Sequence, residues 1–179
     1  IGAWSHDFAR SALVARMRHP EDHGGVALEW FQQGGTLALL PMNRREVSLV
    51  LTLPGPEIAA LAALPPEAFD AWVRHRCGNA LGGLHLCGER FHYPLVAVYA
   101  HRFTGPGCAL IGDAAVGMHP VTAHGYNFGL YGVESLVRRL AAARASGRPL
   151  ADPAVLSAWE AEHRRATAPV FAGTQAVVG

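Results

Sequence analysis

The segment GDAAVGMHPVTAHGYNFGL, residues 112–130, decides how this chain is read. The short apolar run CALIG (108–112) leads into it and reads as a buried strand. Asp113 follows, then a loop of about a dozen residues, then Gly125-Tyr126-Asn127. From Asn127 onward Leu130, Val133, Val137 and Leu140 share one helical stripe, with Arg138, Arg139 and Arg144 off it. Strand, Gly-Asp, loop and helix in that order make one unit of an α/β fold. Ligands of open α/β sheets bind beyond the carboxyl ends of the strands, and Asp113 falls at such an end. A carboxylate there accepts hydrogen bonds from the hydroxyls of a ribose or ribitol chain. Gly125 lets backbone approach a ligand closely. The N–H groups of the first helical turn, near Tyr126 and Asn127, carry partial positive charge and suit an anion. A polyol acceptor, a close backbone and an anion-stabilising helix end together suit a flavin, whose ring becomes anionic when reduced.

Composition narrows the class. The chain has 179 residues, half of them hydrophobic and 16% charged, a globular balance. A formal net charge of +1 gives no global pull toward nucleic acid. Three cysteines at 77, 87 and 108 form neither a disulfide framework nor a CxxC metal site, which suits a reducing, cytoplasmic setting. There is no signal-like start and no apolar run long enough to span a bilayer.

Working outward, ALVARMR (12–18), VALEWF (26–31), TLALLPM (36–42) and EVSLVLTL (46–53) read as four strands of a meander, with HPEDHGG (19–25) and QQGG (32–35) as turns. The period then changes: GPEIAALAAL (55–64) and PPEAFDAWVRHRCG (65–78) are helix patterns. Residues 84–92 and 94–100 return to strand content, and TGPG (104–107) is a turn. Gly147 and Pro149 end the helix after the loop, and a last helix opens with Asp152 as N-cap and Pro153 at its first position, with Pro169 expected to kink or end it. The expected architecture is α/β, with α+β character in the first part. Residues 1–104 form a mixed-sheet substrate domain with helices, and residues 105–179 the C-terminal strand and helices of a Rossmann-like FAD domain.

The stretch ALIGDAAVGMHPVTAHGYNFGLYGVESL (109–136) resembles the second flavin-binding motif of the class A flavoprotein aromatic hydroxylases, which have the para-hydroxybenzoate hydroxylase type of fold. It is most similar to the ubiquinone-biosynthesis branch, with its G-D-A-A…H-P…G-x-N-x-G-L pattern, and VTAHG resembles a demethoxyubiquinol hydroxylase subgroup. Residues 14–42 resemble the substrate-domain strands of the same branch. The resemblance implies that Asp113 holds the ribitol of FAD and that Pro120 lies beside the reactive flavin edge, the one catalytic position expected here. It implies that Gly125 and Asn127 meet the pyrimidine side of the ring, and Gly112 and Tyr126 are expected among the cofactor-binding residues. It also implies NAD(P)H as co-substrate, dioxygen as oxidant and a phenolic, polyprenylated quinone precursor as substrate. Departures exist: Val116 stands where many members have His, His124 replaces a common Gln, and Tyr131-Gly132 replaces a common Arg-Asp pair. The family's first motif, GxGxxG, does not occur, so the chain is expected to be the C-terminal part of a protein about twice its length, with little FAD affinity by itself. Uncovered apolar helix faces and association between copies are then expected.

Other residues carry other expectations. Alternation in the meander nominates Leu37 and Leu39, with Leu49 or Val50, to wall the apolar substrate. Asp113, His119 and His124 are the ligand types of a metal-dependent hydrolase, the competing enzyme class, although no metal site is assigned; a non-catalytic binding remnant is a third reading. His19 and His23 read as solvated turn residues, His85 and His92 have no partner motif, and Trp30, Trp72 and Trp159 read as core. The arginines at 138, 139, 144, 148, 164 and 165 read as a solvated surface that suits anionic lipid headgroups, which would place the protein at the periphery of the inner membrane within a quinone-pathway complex.

Overall fold

A computed structural model describes residues 1–32 and 34–178; Gln33, inside the predicted QQGG turn, lies outside the described residues. The chain packs as two units, residues 9–95 and residues 1–8 with 96–179. The two packing units part at 95/96, whereas the sequence division is drawn at 104/105, and the first eight residues pack with the C-terminal part. The reason is β1 (Ala3–Arg18) and β5 (His85–Ala100), strands of 16 residues each that pass from one unit into the other without any break in composition.

In the unit of residues 9–95, β2 (Leu28–Gln32), β3 (Gly35–Pro41) and β4 (Glu46–Pro54) are successive antiparallel neighbours, with Trp30 opposite Leu37 and Leu37 opposite Leu51. β1 is not part of a simple meander. It joins through β4, with Leu13 opposite Leu51, and the strand order within this unit is β2-β3-β4-β1-β5. Alternation reveals which residues share a face of a strand but not which strand lies beside it. The face made by Leu13, Ala15, Met17, Leu37, Leu39, Val47, Leu49 and Leu51 is buried together with Ile58 and Leu61 of α1 (Gly55–Ala63) and Phe69 and Val73 of α2 (Pro66–Arg76). Both helices have proline in the first turn, where the missing N–H has no acceptor to lose. Each leucine of this size taken from water contributes roughly 1.5–3 kcal/mol, so this face holds the unit together.

Residues 84–92 and 94–100, read as two strands, form the single strand β5, with Gly88 at φ +108 and Pro94 within it. His85 is not without a partner: its Nδ1 lies 3.1 Å from Oδ2 of Asp70, whose Oδ1 accepts the Leu86 N–H at 2.8 Å. Asp70 thus fastens α2 to β5. His19 is buried rather than solvated, with its Nδ1 2.6 Å from the carbonyl of Glu21.

The unit of residues 1–8 and 96–179 is built on α3 (Gly125–Ala145) and α4 (Pro153–Val178). β6 (Thr104–Gly105) and β7 (Cys108–Ala109) form a two-residue ladder around the TGPG turn, and β8 (Val116–Gly117) pairs with Val98 and Tyr99. Its core is Ala100, Phe103, Ala115, Val116 and Trp159, with Tyr99, Leu136 and Phe171 against it. Trp159 is the keystone: its Nε1 donates to the Gly132 carbonyl at 3.0 Å and lies 3.1 Å from Ser135 Oγ. Here the apolar stripe misleads. The buried positions of α3 are Gly132, Ser135 and Ala143, whereas Leu130, Val133 and Val137 are exposed. Small residues let α4 approach, and the large ones face away from it. CALIG is likewise not a buried strand; only Cys108 and Ala109 pair, and Cys108 and Ile111 are exposed. Asp152 caps α4 as expected, accepting the Ala154 N–H at 2.8 Å. Pro169 does not end that helix, which runs on to Val178. Phe171, packed on Tyr99 and Trp4, and the buried Thr174 hold the stretch beyond the proline in place.

The arginines are more than a solvated surface. Arg138 and Arg139 of α3 both reach Glu162 of α4. Arg164 lies 4.1 Å from the Phe103 ring centroid and bonds to Glu160 at 2.9 Å. Burial works against the ionised form of Glu160. Hydrogen bonds from Thr104, the Phe103 amide and Arg164 outweigh that effect and hold its pKa below the ordinary glutamate value. Among the described residues no helix is long and apolar enough to cross a membrane.

Candidate functional site

The Leu110 N–H bonds to the Phe103 carbonyl at 2.7 Å, and the chain then turns sharply at Gly112. Gly112 has φ +57, a conformation that costs a side-chain-bearing residue about 1–2 kcal/mol. The turn Gly112–Ala114 closes with the Ala115 N–H on the Gly112 carbonyl at 3.0 Å, and this leaves the Asp113 side chain exposed. Ala115 is fully buried and its carbonyl accepts the Ala100 N–H at 2.9 Å, so the turn rests on fixed backbone.

The turn lies against the first two turns of α3. A Cβ placed on Gly125 would be 3.8 Å from Asp113 Oδ1, and one on Gly129 would be 3.6 Å from Gly112 Cα. The fold therefore brings Gly112, Asp113 and Gly125 together across the loop. Gly129, the second glycine of the G-x-N-x-G-L pattern, belongs to the same contact. Its signal was legible, because it stands four residues after Gly125 on the same helix face.

Pro120 sits in the short helical turn Pro120–Thr122, which ends at Ala123 with φ +50. His119, 8% exposed, precedes it and accepts the Val121 N–H on Nδ1 at 3.2 Å. Pro120, Tyr126 and Asn127 are exposed, Tyr126 to 78%. Asn127 Nδ2 reaches back to the Ala123 carbonyl at 3.4 Å, and the Phe128 N–H to that of His124 at 2.9 Å. The N–H groups ahead of Phe128 have no carbonyl within the helix, and they open the positive end of a 21-residue helix.

Two expectations change. Leu37 and Leu39 do not line an open wall: they are 3% and 1% exposed and packed with Leu13, Leu49 and Ile58 in the core of residues 9–95. Alternation separated the faces correctly, but the leucine-rich face is the one the helices cover. The opposite face, with Val14, Ala38 and Val50, is only partly buried. The metal-hydrolase reading gains no support either. Among the described residues no group of three or more His, Cys, Asp or Glu side chains is placed to hold a metal ion. His119 turns its Nδ1 to the Val121 amide, and the His124 ring stacks on Phe128 at 5.7 Å.

The residues present fit a flavin. The cleared space at Gly125 beside an exposed carboxylate suits a hydroxylated chain, and the adjoining helix end suits an anionic ring edge. Comparison with solved structures places the fold among FAD-dependent monooxygenases. The chain superposes on PqsL from Pseudomonas aeruginosa, a probable FAD-dependent monooxygenase, with a TM-score of 0.73 at 20% identity, covering 99% of this chain and 48% of PqsL.

By sequence the chain is a homologue of the ubiquinone hydroxylases. It is 37% identical to ubiquinone hydroxylase UbiM of Neisseria meningitidis over 97% of its own length and 38% of that protein. It is 39% identical to ubiquinone hydroxylase UbiL of Rhodospirillum rubrum over 99% of its length and 42% of that protein. The chain thus spans about two fifths of the length of these relatives. No family model matches it.

Proposed function

We propose that the protein carrying this chain is an FAD-dependent monooxygenase that hydroxylates the phenolic ring of a ubiquinone precursor, using NAD(P)H and dioxygen. The observation that carries this reading is the contact of the Gly112-Asp113 turn with Gly125 at the start of α3, in a chain homologous to ubiquinone hydroxylases over nearly its whole length. Bound FAD would accept hydride equivalents and activate oxygen, chemistry that no side chain supplies. The chain's own residues orient and polarise. Asp113 accepts hydrogen bonds from the cofactor's hydroxyls. Gly125 admits the ring edge, and the N–H groups at Tyr126 and Asn127 face negative charge with a dipole already in place, so no reorganisation is needed as charge develops. Pro120 borders the reacting side and donates no backbone hydrogen bond there.

The test is the visible spectrum of the purified gene product that carries this sequence, together with Asp113→Ala. Flavin bands are expected in the parent and at least a tenfold lower flavin content in the variant. Equal flavin in both would remove Asp113 from the site. Absence of flavin from the parent after reconstitution with FAD would overturn the reading and favour a non-catalytic binding role. With flavin bound, a phenolic quinone precursor should gain one oxygen atom by mass spectrometry at the expense of NAD(P)H.

A further inference from the structure

Trp4, His6 and Phe8 occupy alternate positions of β1, so their side chains leave the same face of the strand. Their rings touch in series. Trp4 and His6 stack with centroids 6.0 Å apart and planes 9° apart, and His6 meets Phe8 edge-on at 4.8 Å. Phe8 meets His119 edge-on, also at 4.8 Å. Phe171 of α4 steadies the outer end, edge-on to Trp4 at 5.7 Å. Exposure falls along this ladder: Trp4 is 44% exposed, His6 is exposed, Phe8 is half-buried and His119 is nearly buried. From Trp4 to Phe8 the strand advances about 13 Å. An unbroken aromatic strip therefore runs from solvent to the residue that precedes Pro120.

The backbone is specialised at the same place. Ala9, directly after Phe8, has φ +54, a left-handed conformation that L-residues avoid. The ladder uses even-numbered positions, whereas the core-facing residues farther along β1 are Leu13, Ala15 and Met17. Distortions of this kind re-aim side chains along a strand, and here the ring-bearing segment is set apart from the core-forming one.

We propose that the Trp4–His6–Phe8–His119 ladder binds the apolar side chain of the aromatic substrate and leads its ring end to the His119–Pro120 loop. The inference rests on the monooxygenase reading above and adds to it the part of the substrate that is recognised and the residues that recognise it. A linear alkyl or isoprenoid chain fits the shape, because the strip is one ring wide and several isoprene units long. A protein partner would need roughly 1,000 Å² of buried surface, far more than four rings in single file present. Flat ring faces and edges take up such a chain by excluding water from both.

The experiment uses the gene product carrying this sequence and two probes, a dimethoxybenzoquinone with a decyl side chain and the same ring with a methyl group. Affinity is read from quenching of tryptophan fluorescence, and flavin content is measured on the same samples. The decyl compound is expected to bind at least about tenfold tighter than the methyl compound. Phe8→Ala and Trp4→Leu/Phe8→Ala should cut that gain below threefold and leave methyl-compound affinity, flavin content and the far-ultraviolet circular dichroism unchanged. His6→Leu, which keeps the strip apolar, should retain the gain. Equal affinity for the two probes in the parent, or a full gain retained in the double variant, overturns the proposal while leaving the flavin reading intact. A ladder-dependent gain in a parent that takes up no FAD supports the ladder and overturns the monooxygenase reading instead.

Discussion

Gly132→Ala is the substitution whose sign best tests the packing of α3 on α4. In an exposed helix interior, glycine to alanine gains up to about 1 kcal/mol, because alanine loses less backbone entropy on folding. At Gly132 the new Cβ would stand 2.9 Å from Cε1 and 3.1 Å from Nε2 of His163. The imidazole cannot swing clear. It is 1% exposed, stacked on Trp159 at 5.4 Å and on Tyr131 at 5.9 Å, and edged by Phe103 at 5.6 Å. The Gly132 carbonyl is held as well, by Trp159 Nε1 and Ser135 Oγ. Overpacking a filled core costs typically 1–3 kcal/mol, so the propensity gain is outweighed and a net loss of about 1–2 kcal/mol is expected. Gly129→Ala is the control, because its Cβ would meet Gly112 Cα at 3.6 Å, an ordinary contact. The assay is urea unfolding followed by tryptophan fluorescence and circular dichroism. Gly129→Ala should be neutral or stabilising and Gly132→Ala destabilising. Gly132→Ala combined with His163→Ala should cost less than the sum of the two single changes. If Gly132→Ala is as stable as Gly129→Ala, the steric reasoning is refuted.

Other expectations follow from the same contacts. Trp159→Phe keeps an aromatic ring but loses both polar contacts with α3 and part of the buried volume, and should cost about 1–3 kcal/mol in the same unfolding assay. Asp70→Ala strands the partly buried Leu86 N–H and frees His85, with an expected loss of about 1–3 kcal/mol; Asp70→Asn, which keeps one acceptor, should lose less. Desolvation lowers the pKa of His163, only partly opposed by Glu162, so the unfolded chain binds its proton more readily. Stability should therefore fall as pH drops below about 6.5 and level off below the depressed folded value. His163→Leu should abolish that limb of a pH–stability curve, and an unchanged limb would contradict this assignment. Glu160 acts at lower pH with the sign usual for a carboxylate: its contribution is present above the ordinary glutamate value and is lost as pH falls through its depressed folded value. Glu160→Gln should flatten the curve there.

Much of this protein was legible in one dimension, because the relevant physics is local. Period-two alternation located β2 to β4 and the second half of β1, although residues 3–11 of that strand were not read as strand; prolines marked the starts of α2 and α4, and Asp152 in front of Pro153 announced its cap. The contact at the candidate site was legible for the same reason. A helix must leave N–H groups free at its start, and glycines beside a carboxylate after a short strand indicate close approach, so Gly112, Asp113 and Gly125 could be named before their contact was seen.

What the tertiary structure alone decided was partnership and side. β1 pairs with β4 because hydrogen-bonded neighbours are chosen by the whole sheet, and no pattern within a strand records the choice. Leu37 and Leu39 went to the core because α1 and α2 cover that face, although either face of an apolar strand can serve a substrate. The stripe of α3 faced outward because close approach of α4 rewards Gly132 and Ser135 over the larger residues. The aromatic ladder became visible only when the fold carried His119 from its loop to Phe8, about 110 residues away along the chain. Local rules act over a turn or a strand, whereas such contacts depend on how distant segments exclude water together.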